Sequence, residues 1–125
     1  MPRRHISVNG LSFAAMATMR EPTYLILLAL ADAERHGYGV IQEVRALSDQ
    51  QVRLGAGTLY GALDRLTEEG LVRATRSEVV AGRHRRYYAL TDRGLDTVKA
   101  ETVRRGALAE AARVRLGGRL IGGVA

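Results

Sequence analysis

The feature that most constrains this chain is the order of its patterned segments. Three helical stretches, each punctuated by glycine or proline, precede two strand-like stretches around an arginine-rich tip, and one long helical stretch follows. Pro22 suits the first turn of a helix, where its missing N–H costs nothing, and that helix is expected to run to about Glu34. It is apolar nearly all round and so belongs at the centre of a core. The glycines of His36-Gly37-Tyr38-Gly39 break the chain, and a second helix follows with Tyr38, Ile41, Val44 and Leu47 at helical spacing. Ser48 to Gln51 read as a polar connector and Val52 to Leu54 as a short extended piece. A third helix covers about Ala56 to Glu69, with Leu59, Leu63 and Leu66 on one face, and Gly70 stops it. Leu71 to Arg76 and Tyr87 to Leu90 read as strands, and Ser77 to Arg86 as the tip between them. Thr91 is a good N-cap for a last helix from Asp92 to about Leu116, which Gly117-Gly118 ends.

Three short helices followed by a basic β-hairpin is the order of a winged helix-turn-helix, in which one helix enters the DNA major groove and the hairpin flanks it. The expected fold class is mainly α with a small β-hairpin (α+β). A small α+β domain with a solvated arginine loop fits the same pattern. The expected organisation is a basic N-terminal arm over 1–20, partly helical. A winged helix-turn-helix over 21–90, a long C-terminal helix over 91–117 and a flexible tail over 118–125 complete it.

Charge narrows the choice of partner. The 125 residues hold 19 Lys+Arg against 13 Asp+Glu, a formal net charge of +6, and such a surplus suits an anionic partner such as nucleic acid or an anionic membrane surface. The strongest apolar run, Tyr24 to Ala31, is far short of the roughly 20 residues that a membrane helix needs. The run from Phe13 to Met19 leads straight into Arg20-Glu21-Pro22 without a convincing cleavage site. A cytoplasmic protein without a membrane partner is expected. There is no cysteine, which removes thiolate metal sites, cysteine nucleophiles and disulfides. His5, His36 and His84 stand far apart with no metal-ligand spacing, and no nucleophile elbow, P-loop or dinucleotide fingerprint is present. No enzymatic activity, metal or cofactor is expected. His36 reads as a helix-boundary residue hydrogen-bonded locally.

The candidate DNA-binding residues fall on the third helix and the hairpin. With the leucines buried, the helix presents Thr58, Tyr60, Gly61, Asp64, Arg65 and Glu68 outward. Gly55 and Gly57 at its start permit close approach of a phosphate to backbone N–H groups. Asp64, Glu68 and Glu69 would repel phosphate, so the N-terminal half is the part that approaches DNA. Between Leu71 and Leu90 stand Arg73, Arg76, Arg83, Arg85 and Arg86 against a single acid, Glu78, with charge concentrated in Arg83-His84-Arg85-Arg86. Regular alternation puts Tyr88 and Leu90 on the core side and leaves Tyr87 to stack on or bond to the DNA backbone.

Three ordered blocks of residues resemble the PadR-type transcriptional regulators. His36-Gly37-Tyr38-Gly39-Val40-Ile41 resembles the HGYxI signature that opens the family's second helix. Gly57 to Leu66, followed by Glu68 to Val72, resembles its GTLYxxLxRLxxxGLV recognition-helix segment. Gly82 to Thr91, with Gly94, resembles its wing and the following helix start, GxxRKYYxLTxxG. Together they cover about residues 22–95. The resemblance implies a winged-helix DNA-binding domain, a homodimer, and repression relieved by a small ligand. By position it implies that Tyr38, Thr58, Tyr60, Arg65, Arg83, Arg85, Arg86 and Tyr87 lie near DNA. Gly61 and His84 belong to the same segments. Gly55-Ala56 stands where Ser-Pro is common, and His84 replaces a frequent proline at the wing tip.

Short members of that family dimerise through the C-terminal helix. Here Leu95, Val98, Thr102, Ala109, Ala112 and Leu116 are the candidate dimer positions, a poor seam broken at Arg105. The segment Leu11 to Met19 and the first helix are therefore expected to contribute to the dimer. With no Trp and few aromatics outside the DNA-binding half, no flat drug-stacking pore is evident, and the effector has no sequence signature. A winged helix serving as a protein-interaction or RNA-binding module is the alternative function.

Overall fold

In a computed structural model the chain is described over residues 7–8, 11–12 and 19–120. The expectations for the rest of the arm and for residues 121–125 lie outside the described residues. β1 (Ser7–Val8) and β2 (Leu11–Ser12) form an antiparallel pair. The Asn-Gly pair that separates them in sequence favours such a pairing. Leu11 and Ser12 are thus strand.

α1 spans Glu21–Ala29 with Pro22 in its first turn, and buries Leu25, Ile26, Leu27 and Ala29. It ends at Ala29, short of the expected Glu34. A helix apolar all round carries no internal stop signal, and here tertiary partners set the end. The Arg35 Nε donates to the Ala29 carbonyl at 2.8 Å, satisfying one of the helix's open acceptors. Arg35 and His36 are drawn into β3 (Arg35–His36), an unexpected strand.

α2 (Gly37–Leu47) buries Gly37, Val40 and Val44. Its inner stripe is offset from the expected one, since Tyr38 is 62% exposed and Leu47 is exposed as well. After α2 the chain turns through Asp49 and Gln50, both at positive φ. Val52 and Leu54 pack against the core without strand pairing among the described residues. α3 (Ala56–Glu68) buries Leu59, Ala62, Leu63 and Leu66. Gly70 at φ 79° lets the Leu71 N–H return to the Leu66 carbonyl at 2.9 Å, closing the helix.

The hairpin is longer and tighter than expected. β4 (Val72–Val80) and β5 (Arg83–Leu90) pair antiparallel, so Ser77 to Val80 and Arg83 to Arg86 are strand and not tip. Only Ala81 and Gly82 turn, at φ 52° and 76°, the left-handed pair that matches strand twist in two-residue hairpins. The register shifts at Thr75, between Ala74 and Arg76. β3 adds to the other edge, giving the order β3-β5-β4, with Arg35 opposite Tyr88 and His36 opposite Tyr87.

α4 (Asp92–Leu116) is capped as expected, with the Gly94 N–H donating to the Thr91 Oγ1 at 2.9 Å. Its start is bound to the end of α3. The Thr91 hydroxyl donates to the Gly70 carbonyl at 2.6 Å and the Thr91 N–H to the Leu71 carbonyl at 3.1 Å. A side chain at Gly94 would run into that Leu71 carbonyl. The core joins α1, Val40, Val44, the α3 leucines, Val72, Tyr88 and Val98. This is a winged helix-turn-helix, mainly α with a small sheet, and a long helix appended.

Candidate nucleic-acid interface

Burying Leu59, Leu63 and Leu66 leaves Thr58, Tyr60, Gly61, Asp64, Arg65 and Glu68 exposed on α3, as the spacing predicts. Gly55 is the N-cap, and no side chain caps the helix start. The first N–H groups of α3 therefore face outward at the positive end of the helix dipole, where an anion is favoured. Gly55 and Gly57 have open space around them.

Tyr60 is positioned by a glycine. A Cβ at Gly37 would clash with the hydroxyl end of Tyr60, so the first residue of α2 must lack a side chain for that ring to lie where it does. The ring then borders two clefts between α3 and the hairpin. One, of about 360 Å³, is lined by His36, Tyr38, Tyr60, Arg83, His84 and Arg85. The other, of about 400 Å³, is lined by Tyr60, Asp64, Ser77, His84, Arg86 and Tyr88. Three phenols, two imidazoles and three guanidinium-bearing side chains thus converge, with Asp64 the one acid. Arg83, Arg85 and Arg86 take part in no ion pair among the described residues.

Arg76, nearer the base of the hairpin, is held differently. The Arg76 Nε donates to Glu34 at 2.7 Å and its Nη1 to Glu78 at 2.9 Å. Its guanidinium stacks 3.8 Å from the centre of the Tyr87 ring, and His36 meets that ring edge-on at 5.3 Å. The Thr75 hydroxyl also donates to Glu34 at 2.6 Å. Hydrogen bonds from Thr75 and then Arg76 hold the Glu34 carboxyl below its ordinary range, and Arg76 does the same to Glu78. Arg76, counted by sequence among the hairpin's free charges, is thus neutralised by two carboxylates, one of them on a loop distant in sequence. Tyr87 is drawn into this cluster and does not line either cleft.

Tyr38, Tyr60, Arg83, His84, Arg85 and Arg86 are therefore brought together. Thr58 and Gly61 share the exposed α3 face, whereas Arg65 stands on the last turn of α3, away from both clefts. His36 is an addition to the site. Its sequence context marks it only as a boundary residue, and its Nδ1 accepts the Gly39 N–H at 3.2 Å, capping α2. Burial, and then the charge of Arg85, push its pKa down.

The candidate dimer positions divide. Val98 is 3% exposed in the chain's own core and Leu95 packs against it, so both are already occupied. Thr102 is exposed but bonds the Tyr24 hydroxyl of α1, whereas Ala109, Ala112 and Leu116 are exposed and continue the same helix stripe past the body. Among the described residues no group of three His, Asp or Glu side chains could hold a metal ion, and no helix is long and apolar enough to cross a membrane.

Fold and surface together define a winged helix-turn-helix protein with a basic wing. Residues 26–100 match the model of the transcriptional regulator PadR-like family, and the chain belongs to that family. Its members are transcriptional regulators and not enzymes. The chain is 44% identical over 93 residues to the transcriptional regulator Rv3488 of Mycobacterium tuberculosis, covering 74% of this chain and 80% of that protein. It is 40% identical over 77 residues to an uncharacterized 37.1 kDa protein in transposon TN4556 of Streptomyces fradiae, spanning 62% of this chain but only 21% of that one. Bacillus subtilis PadR, solved in complex with operator DNA, is similar with a TM-score of 0.57 and 26% identity, over 66% of this chain and 46% of that one. A PadR family regulator from Clostridium difficile gives a TM-score of 0.64 at 26% identity, over 76% and 97% of the two chains.

Proposed function

We propose that the chain is a sequence-specific, double-strand DNA-binding transcriptional regulator. It acts in the cytoplasm as a homodimer on a pseudo-palindromic operator, as a repressor relieved by a small ligand. Residues 21–90 form the DNA-binding unit and 91–117 the dimerisation helix. The observation that carries the reading is the convergence of Tyr38 and Tyr60 with Arg83, Arg85 and Arg86 around two adjoining clefts, on an α3 whose start is uncapped. The N-terminal half of α3 enters the major groove, and Thr58, Tyr60 and Gly61 approach base edges and phosphates. Arg83, His84, Arg85 and Arg86 grip the flanking backbone, where each neutralised phosphate releases counterions. Two such units sit about one helical turn apart, roughly 34 Å. A ligand that favours one dimer arrangement changes that separation. The family membership and the operator-bound relative support this reading.

The test is fluorescence anisotropy near physiological salt, comparing duplex DNA from upstream of the protein's own coding region with scrambled duplex of equal length. Specific binding about 10³-fold tighter is expected. Equal weak binding to both, persisting when sites are selected from the whole genome, would favour a winged helix whose partner is protein or RNA.

A further inference from the structure

Arg105 interrupts the apolar stripe of α4, and the structure accounts for it. It is the point at which α4 leaves the body. Gly94, Thr97, Val98 and Glu101 are buried, Arg105 is half-buried, and Gly106 to Glu110 are exposed. Its Nε donates to Glu101 at 2.7 Å and its Nη2 to the Met19 carbonyl at 3.3 Å. The guanidinium lies 4.5 Å from the centre of the Tyr24 ring, a cation–π contact to α1. The Tyr24 hydroxyl meets the Thr102 Oγ1 at 2.8 Å. Because that oxygen donates to the Val98 carbonyl at 2.7 Å, the tyrosine is the donor. Glu101, 2% exposed, is also held by Arg104 at 2.6 Å. Burial pushes its carboxyl up, but the two guanidiniums outweigh burial and keep it ionised below the ordinary range.

We propose that Arg105 is a positioning residue for operator recognition: clamped between Glu101 and Tyr24, it fixes the angle at which α4 departs, and with it the half-site spacing that the dimer accepts. The inference rests on the dimeric, DNA-binding reading above. Its leverage is geometric. The part of the helix beyond Arg105, Gly106 to Leu116, is roughly 17 Å long. A tilt of about 10° at Arg105 moves the far end by about 3 Å, close to one base-pair step of about 3.4 Å. A planar, multidentate group suits the task, because it sets direction as well as distance.

The experiment uses the full chain and a panel of duplexes whose half-sites are set at the wild-type optimum or moved by one or two base pairs. Glu101→Gln combined with Arg105→Met removes both charges without leaving one buried and unpaired. In the folded variant the preference for the optimum over the shifted duplexes is expected to fall about tenfold, while affinity for scrambled DNA and its salt slope stay unchanged. A folded variant that keeps the wild-type spacing preference would overturn the proposal. If the double variant does not fold, Arg105→Lys carries the test, keeping the charge beside Glu101 and losing the planar contact. It is expected to shift the preference in the same direction by a smaller factor, and no shift would overturn the proposal. A wild-type protein with no preference for operator over scrambled duplex would instead overturn the underlying reading, and the proposal with it.

Discussion

At the scale of single residues, the hairpin arginines separate into two kinds. Arg85 lines the cleft without an ion pair, whereas Arg76 is held by Glu34 and Glu78 and stacked on Tyr87. Arg85→Ala is expected to weaken binding to every duplex and to reduce the slope of log affinity against log salt by about 0.9, the worth of one phosphate contact. Arg76→Ala is expected to leave that slope unchanged, because its charge is already balanced. Salt titrations of both variants check this, and equal slopes in the two would contradict the division. Gly37→Ala makes a second prediction. The atoms its methyl meets belong to the mobile end of the Tyr60 side chain, so the ring moves and the fold survives. A hydrogen bond to a charged group is worth about 1.5–3 kcal/mol, so duplex binding should weaken about tenfold or more with the melting temperature little changed.

At the scale of elements, much of the fold is legible because its punctuation is local. Gly70 ends α3, Thr91 caps α4, and the leucine spacing of α3 identifies both its buried and its exposed sides. What the sequence does not disclose depends on partners remote in the chain. α1 stops at Ala29 because Arg35 bonds its end, and β3 exists because Tyr87 and Tyr88 pair with it. The turn shrinks to Ala81-Gly82 because pairing continues through charged residues that read as loop. The candidate site is half legible for the same reason. The wing charges stand in one run, but the neutralisation of Arg76 needs Glu34. His36 illustrates how an element can depend on one proton. Its Nδ1 must be unprotonated to cap α2, and its folded pKa lies below the ordinary imidazole value. As pH falls below about 6.5, the unfolded chain takes up a proton that the folded one resists, so stability falls across that window and is flat above it. His36→Asn keeps a capping acceptor and should remove that part of the decline. Urea unfolding at pH 7.5 and 5.5 for both proteins measures it.

At the scale of the whole molecule, α4 carries two tasks in succession. Its first half completes the core through Val98 and Leu95, and its second half continues the stripe into solvent as Ala109, Ala112 and Leu116. If that extension is the dimer surface, Ala112→Glu should leave the protomer folded, since position 112 is exposed and glutamate is a good helix former. The dimer should weaken by about tenfold or more, because the seam would then bury like charges opposite each other. Sedimentation velocity across a concentration series gives the answer, and an unchanged dimer would place the contact elsewhere, with the N-terminal arm the next segment to remove.

The junction between α3 and α4 has a consequence for genetics. Thr91 bonds both Gly70 and Leu71, and Gly94 admits the Leu71 carbonyl against its backbone. The end of one helix and the beginning of the other are thus a single inherited unit. A screen for alleles that no longer recognise DNA should return changes at Gly70, Thr91 and Gly94 beside those in the wing. Such alleles would be mistaken for contact mutants unless their proteins were also assayed for folding.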